Sequence, residues 1–369
     1  MAKSYLQTAC VYSLYSDLVA QCAPFIFLKR KRLVRFISLL IIFSFSMLSH
    51  AVVVSDLYEV QVEVASQSQS SRSEALNEAM QQVLVKVSGS AIPLQDEVIQ
   101  AETLEPDRYV RSYSYIHNPI TDQLQLKVLF AQNLIDALLR QTQYPIWGRS
   151  RPLVLVWQAV EEKQNRFVIN TDKKTWHYEF EKAMNDRGIP VIWPSLDLED
   201  QMALPMANLW GLFRDDIGAA SERYLTDAYM AGRLIQTTDG MWQYTGFFQG
   251  SQAPLSLDAK DESKQAVFHS VANQVASFLA QHYAVQSGSE SSSQIIDITN
   301  VNSFQQYQQL LSYLQANSVI KEVKVLAAKQ NSLSLELVLA ASWDQAWSTL
   351  ALDQRLLTTD QPQTYQWQP

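Results

Sequence analysis

Three carboxylates fall within four positions at Asp197-Leu-Glu199-Asp200, just after Ile189-Pro-Val-Ile-Trp193, an apolar run with the look of a buried strand. In open α/β sheets ligands gather beyond the carboxyl ends of strands. Carboxylates there could hold a cation or accept hydrogen bonds from an amine or a sugar hydroxyl. The competing assignment is a helix start, with Ser195 or Asp197 as N-cap and Glu199 and Asp200 near the positive end of the helix. Capping is the preferred expectation. Arg223, in Arg223-Tyr224, and Arg233 could face an anionic ligand, although ordinary helix and strand positions explain them equally. Among nine tryptophans, Trp157 and Trp193 lie in apolar strands and are expected in the core. Trp210 and Trp242 are freer to form an aromatic wall. The candidate ligand-binding set is therefore Asp197, Glu199, Asp200, Arg223, Arg233, Trp210 and Trp242.

Other chemistry finds no foothold. His117, His177, His269 and His282 occur in no paired metal-ligand spacing. Ser221 lacks the second glycine and the preceding strand of a nucleophile elbow. No glycine-rich phosphate loop is present. No catalytic residue, metal or cofactor is expected.

The elements that must position these residues follow from periodicity. Leu57-Tyr-Glu-Val-Gln-Val-Glu-Val64 alternates as a half-buried strand does. Ser71-Arg-Ser-Glu74 fits a capping box for a helix whose apolar positions run from Ala75 to Val87 and stop at Gly89. A weaker helix near 94–104, strands at 109–116 and 124–130, and a helix at 133–141 complete a β-α-α-β-β-α module over residues 52–146. Residues 147–286 read as a three-layer α/β domain, opening on Pro152-Leu-Val-Leu-Val-Trp157, a strand covered on both faces. Ser287-Gly-Ser-Glu-Ser-Ser-Ser293 lies in a linker at 287–294. A β-α-β-β-α module follows at 295–357, with a tail at 358–369. Its last hairpin and helix echo those of the first module. The fold class expected is α/β and α+β, multidomain, with the α/β domain flanked by two small β-α-β-β type modules.

Ahead of these, Lys29 to Arg35 is a basic stretch and Phe36 to Leu48 an apolar one, with small residues at Ser49 and Ala51. That is the layout of an export signal, residues 1–51, preceded by an over-long start. At 13 residues the stretch falls short of the roughly 20 needed to cross a bilayer. If Val52 to Val54 extends the run uncleaved, an inner-membrane anchor facing the periplasm is the alternative. Both cysteines, Cys10 and Cys22, precede the cut, so no disulfide and no thiolate metal site is expected afterwards. Six of the 29 basic and one of the 37 acidic residues fall in 1–51, leaving 23 against 36, a net of −13. Without a basic cluster in the exported part, nucleic acid is not an expected partner.

The segments Arg151-Pro-Leu-Val-Leu-Val-Trp157, Arg187-Gly-Ile-Pro190, Pro194-Ser-Leu-Asp-Leu-Glu-Asp200, Ala220-Ser-Glu-Arg-Tyr224 and Asp227-Ala-Tyr-Met-Ala-Gly-Arg233 resemble a family of exported proteobacterial proteins known as domain of unknown function 2066. The resemblance implies a periplasmic address and no established activity. More loosely, the α/β order is similar to domains of outer-membrane lipoproteins and of the front of TolB, and the first module to those of outer-membrane assembly proteins. The expected function is a non-enzymatic binding or assembly-accessory role toward an envelope protein partner. Alternatives are a glycan-directed envelope enzyme using Asp197, Glu199 and Asp200, and a periplasmic small-ligand binding protein with its ligand between the first two modules.

Overall fold

The computed structural model describes Val54, residues 56–285 and residues 292–369. The segment read as an export signal and most of the segment read as a serine-rich linker lie outside these residues. Three sheets, each with helices packed on it, make the protein a multidomain α/β structure.

In the first sheet the order is β1 (Glu59–Glu63), β3 (Leu124–Phe130), β2 (Val110–His117), all antiparallel. Helix α1 (Gln69–Ser88) lays Leu76, Ala79, Met80, Val83, Leu84 and Val87 on it. The helix begins a turn earlier than the capping-box pattern suggests, because Ser68 is the N-cap and accepts from the Ser71 amide. It ends at Gly89, whose φ of 76° is the left-handed cap that glycine adopts without strain. Helices α2 (Glu97–Thr103) and α3 (Gln132–Gln141) complete this layer.

The central sheet runs β5 (Asn165–Val168), β4 (Val154–Glu162), β7 (Ala228–Gln236), β8 (Trp242–Gln249), β9 (Leu255–Asp261), with the short β6 (Val191–Ile192) also beside β4. Strand β4 is parallel to β6 and β7; the remaining pairs are antiparallel hairpins. Even-numbered β4 residues such as Val154 and Val156 pack under α4 (Lys174–Asp186) and α8 (Lys264–Tyr283). Odd-numbered Leu155, Trp157 and Ala159 pack under α5 (Leu198–Ala203), α6 (Met206–Trp210) and α7 (Arg214–Ser221). This is the three-layer arrangement expected for a strand apolar on both faces. The periodicity reading omitted β5 and β9. The β4–β5 turn uses Lys163 and Gln164 at φ of 49° and 68°, so it carries none of the Asn-Gly or Asp-Gly signal that such turns usually show.

The third sheet corrects two boundaries. Ser292 and Ser293 belong to β10 (Ser292–Thr299), opposite Leu339 and Val338, so the segment read as linker to 294 ends sooner. The segment read as a tail forms β13 (Leu356–Thr358) and β14 (Thr364–Trp367), and β14 pairs in parallel with β10. Fully buried Trp367 explains why this end is ordered. With β11 (Ile320–Lys329) and β12 (Ser332–Leu339) the order is β11-β12-β10-β14-β13, under α9 (Phe304–Ala316) and α10 (Trp343–Leu350). The portion β11-β12-β10 repeats the topology of β2-β3-β1 in the first sheet, as the echoed hairpin suggests.

Two arginines join the first sheet's helix to the central domain. Arg151, fully buried, donates from Nη2 to the Lys86 and Trp147 carbonyls (both 2.8 Å), from Nη1 to Arg187 and Gly188 (3.0 and 3.1 Å), and from Nε to Gly148 (2.9 Å). Among the described residues it forms no ion pair with a carboxylate. Its charge is met by the carbonyl ends of α1 and α4, the negative poles of both helices, and by the Trp147 ring, 3.9 Å from Cζ. Arg187 adds a bond from Nη2 to Gly89 O (2.8 Å) and one from Nη1 to Asn273 Oδ1 (2.6 Å).

Candidate functional site

The carboxylate motif lies just past β6, after Leu196, which holds φ at 51°. Asp197 is the N-cap of α5 and accepts from the Asp200 amide at 2.9 Å. The 3₁₀ turn Glu222–Tyr224, at the end of α7, brings Arg223 and Tyr224 onto the motif. Arg223 forms a two-pronged pair with Asp197 (2.9 and 3.0 Å), a bond to Asp200 Oδ1 (2.8 Å) and a longer contact to Glu199 (3.5 Å). Asp200 is 1% exposed, and its Oδ2 accepts from the Leu196 amide and from the Tyr224 hydroxyl. That hydroxyl in turn accepts from the Ser195 amide at 2.9 Å.

Four of the seven candidate residues thus meet in one cluster, and its chemistry is already occupied. The Arg223 guanidinium, then the Asp200 amide, hold the Asp197 carboxyl down at about 2. A group that acidic does not exchange protons near neutral pH. Burial and the Asp200 bond raise the Tyr224 phenol. Among the described residues no three His, Cys, Asp or Glu side chains are arranged to hold a metal ion.

Arg233 and Trp210 form a second pair, on the same face of the sheet. Arg233 Nη1 donates to the Trp210 carbonyl at 3.0 Å, and Arg166 stacks on the indole with Cζ 4.1 Å from its centroid. Trp242 is a correction. It is 7% exposed, packs in the opposite layer and meets Trp176 edge-on at 5.5 Å. Its strand position after the Asp239-Gly240 turn points it under α4 and α8, where no ligand wall can form. Ser221 is buried, accepts from Trp157 Nε1 at 3.0 Å and donates to the Ile217 carbonyl at 2.6 Å.

A cleft of about 280 Å³ opens between β1 and α1 on one side and α4 on the other. Lys86, 6% exposed, lies on it with Nζ bonded to the Asp56 and Glu59 carbonyls at 3.1 and 3.2 Å; burial lowers its pKa. Lys182 and Asp186 pair at 2.7 Å on the α4 wall. Sequence reasoning missed this lining because Lys86 sits in the last turn of a helix, where a lysine normally serves the dipole from solvent.

Residues 51–148 match a family model described as a domain of unknown function, DUF8605. The match spans the first sheet and its helices. Among solved structures, a formyltetrahydrofolate deformylase from Pseudomonas putida KT2440 is similar at 11% identity over 51% of this chain and 88% of that one, with a TM-score of 0.17. A search of curated proteins finds no match.

Proposed function

We propose that this protein is an exported component of the cell envelope, akin to the domain of unknown function 2066 proteins. In this reading it works by binding, as an accessory to an envelope protein partner, and performs no covalent chemistry. The observation that supports binding over the glycan-enzyme reading is the closure of Asp197, Glu199 and Asp200 by Arg223, which leaves no facing carboxylate pair to act as acid and base. The basic and apolar stretches before Ala51 support export. Edge strands β2 and β11, most of whose residues are exposed, offer places for a partner strand.

A small-ligand role is the second reading. The 280 Å³ cleft between the first two modules favours it. Fractionation followed by in-cell cross-linking and mass spectrometry tests the proposal. A periplasmic chain beginning at Val52 and cross-linked to an envelope protein is the expected result. A cytoplasmic location, or a hydrolytic activity on cell-wall glycan lost in Asp200→Asn, would overturn it.

A further inference from the structure

Two adjoining hollows, of about 530 and 140 Å³, share the side chains of Gln132, Asp136 and Arg140 at the outer side of α3. The larger falls within the roughly 300–1,000 Å³ of small-molecule sites. Arg111 comes from β2, Arg140 from α3 and Arg149 from the segment leading into β4, while residues 315–318 at the end of α9 close the smaller hollow. Arg111 and Arg140 thus line the larger hollow and Arg140 and Arg149 the smaller, with Asp136 the one carboxylate on both, in a protein whose overall charge is −8.

The arginines are under-used by the protein itself. Arg140 stands 3.7 Å from Asp136, a long ion pair, and Arg111 forms no ion pair among the described residues. Arg149 donates from Nη2 to Gln132 Oε1 at 2.9 Å and lies over the Tyr58 ring, Cζ 5.7 Å from its centroid, yet its Nε is buried without a hydrogen-bond partner. Ser318 Oγ, on the same hollow, is also buried and unpartnered. Buried donors without acceptors are uncommon in native proteins, and each calls for an account. Asp136 is turned inward, 6% exposed and bonded by the Tyr58 hydroxyl at 2.7 Å. The amino terminus of α3 opens on the larger hollow with no side-chain cap. It adds its positive pole to the arginines.

We infer that these two adjoining hollows together form a binding site for a phosphate monoester, with Arg140 shared between them, Arg111 on the larger side and Arg149 on the smaller. A carboxylate has two oxygens to offer, whereas a phosphate monoester presents three acceptor oxygens and nearly two negative charges. That matches the guanidiniums spread over the two adjoining hollows, which with Asp136 leave a net local charge of about +2, better than any singly charged group.

Isothermal titration of the purified protein with inorganic phosphate and with glycerol phosphate, at low ionic strength, tests the assignment. Both bind in the expected result. Arg140→Gln and Arg149→Gln each weaken binding about tenfold or more, the loss expected for one charge-assisted contact. Asp136→Asn, which deletes the one opposing charge, tightens it. Arg111→Gln sits at an exposed position, so its fold is secure, and it weakens binding as well. Flotation with phosphatidylcholine vesicles, with and without phosphatidic acid, separates the sources. Retention only with phosphatidic acid makes a lipid headgroup the natural ligand, and no retention makes it a soluble phosphate. Absence of phosphate binding, or arginine variants that bind as the parent does, would overturn the site.

Discussion

Replacing Arg151 by Met keeps the bulk of the side chain and removes five hydrogen bonds to carbonyls of Lys86, Trp147, Gly148, Arg187 and Gly188. These acceptors are buried at the junction of α1 and α4, so water replaces the lost donors poorly. A stranded buried acceptor costs about 1–3 kcal/mol, and breaking a buried ionic arrangement costs about 3–5 kcal/mol in total, because individual losses are not additive. We expect a loss of about 4 kcal/mol, a large share of the roughly 5–15 kcal/mol that holds a domain folded. Arg151→Lys keeps the charge. One ammonium cannot span carbonyls on three separate segments, so most of the loss remains. Urea unfolding followed by tryptophan fluorescence reads it out, since the guanidinium lies 3.9 Å over the Trp147 ring. A change below about 1 kcal/mol in Arg151→Met would refute the view that two helix ends depend on this cation.

Asp197 has its carboxyl depressed from 3.8 to about 2, so its ionisation stabilises the fold above pH 3.8 and that contribution disappears as pH falls to about 2. Thermal melts should therefore show Asp197→Asn less stable than the parent at pH 5 and indistinguishable from it near pH 2; a gap that persists in acid would contradict the Arg223 pairing. The Tyr244 hydroxyl is fully buried without a partner over Gly232, so Tyr244→Phe should be neutral or stabilise by about 1 kcal/mol. Gly232→Ala would drive a methyl into the Tyr244 ring and cost about 1–3 kcal/mol, measured in the same urea assay. Limited proteolysis should cut within residues 286–291 and release a fragment starting near Ser292 that keeps the β10 pairings; a first cut elsewhere would move the boundary.

The strands that could be read in the sequence are those whose burial imposes a clean pattern. Leu333, Leu335, Leu337 and Leu339 alternate because one face of β12 is covered, and Val154 to Val160 is apolar but for Gln158 because both faces are. Strand β9 was missed because, of its seven residues, only Leu257 is fully buried. The capping role of Asp197 was legible from its position before a short helix. Its neutralisation by Arg223, 26 positions later, was not, since no local pattern encodes a contact made by tertiary packing. The same holds for Arg111, Arg140 and Arg149, which lie on β2, on α3 and in a connecting segment. Each reads alone as an ordinary surface arginine. Residues far apart in the chain hold the frame together: Arg151 and Arg187 at the junction, Asp227 accepting the Leu153 amide at 2.8 Å, and Gly232 making room for Tyr244.

Complementation of a strain lacking the gene, using a chain with Asp197→Asn, Glu199→Gln and Asp200→Asn together, tests binding without covalent chemistry most directly. The account predicts that the exported, folded variant restores the parent phenotype, with some loss of thermal stability. A variant that folds and reaches the periplasm at parental levels and still fails to complement would contradict it and return the acidic motif to chemistry.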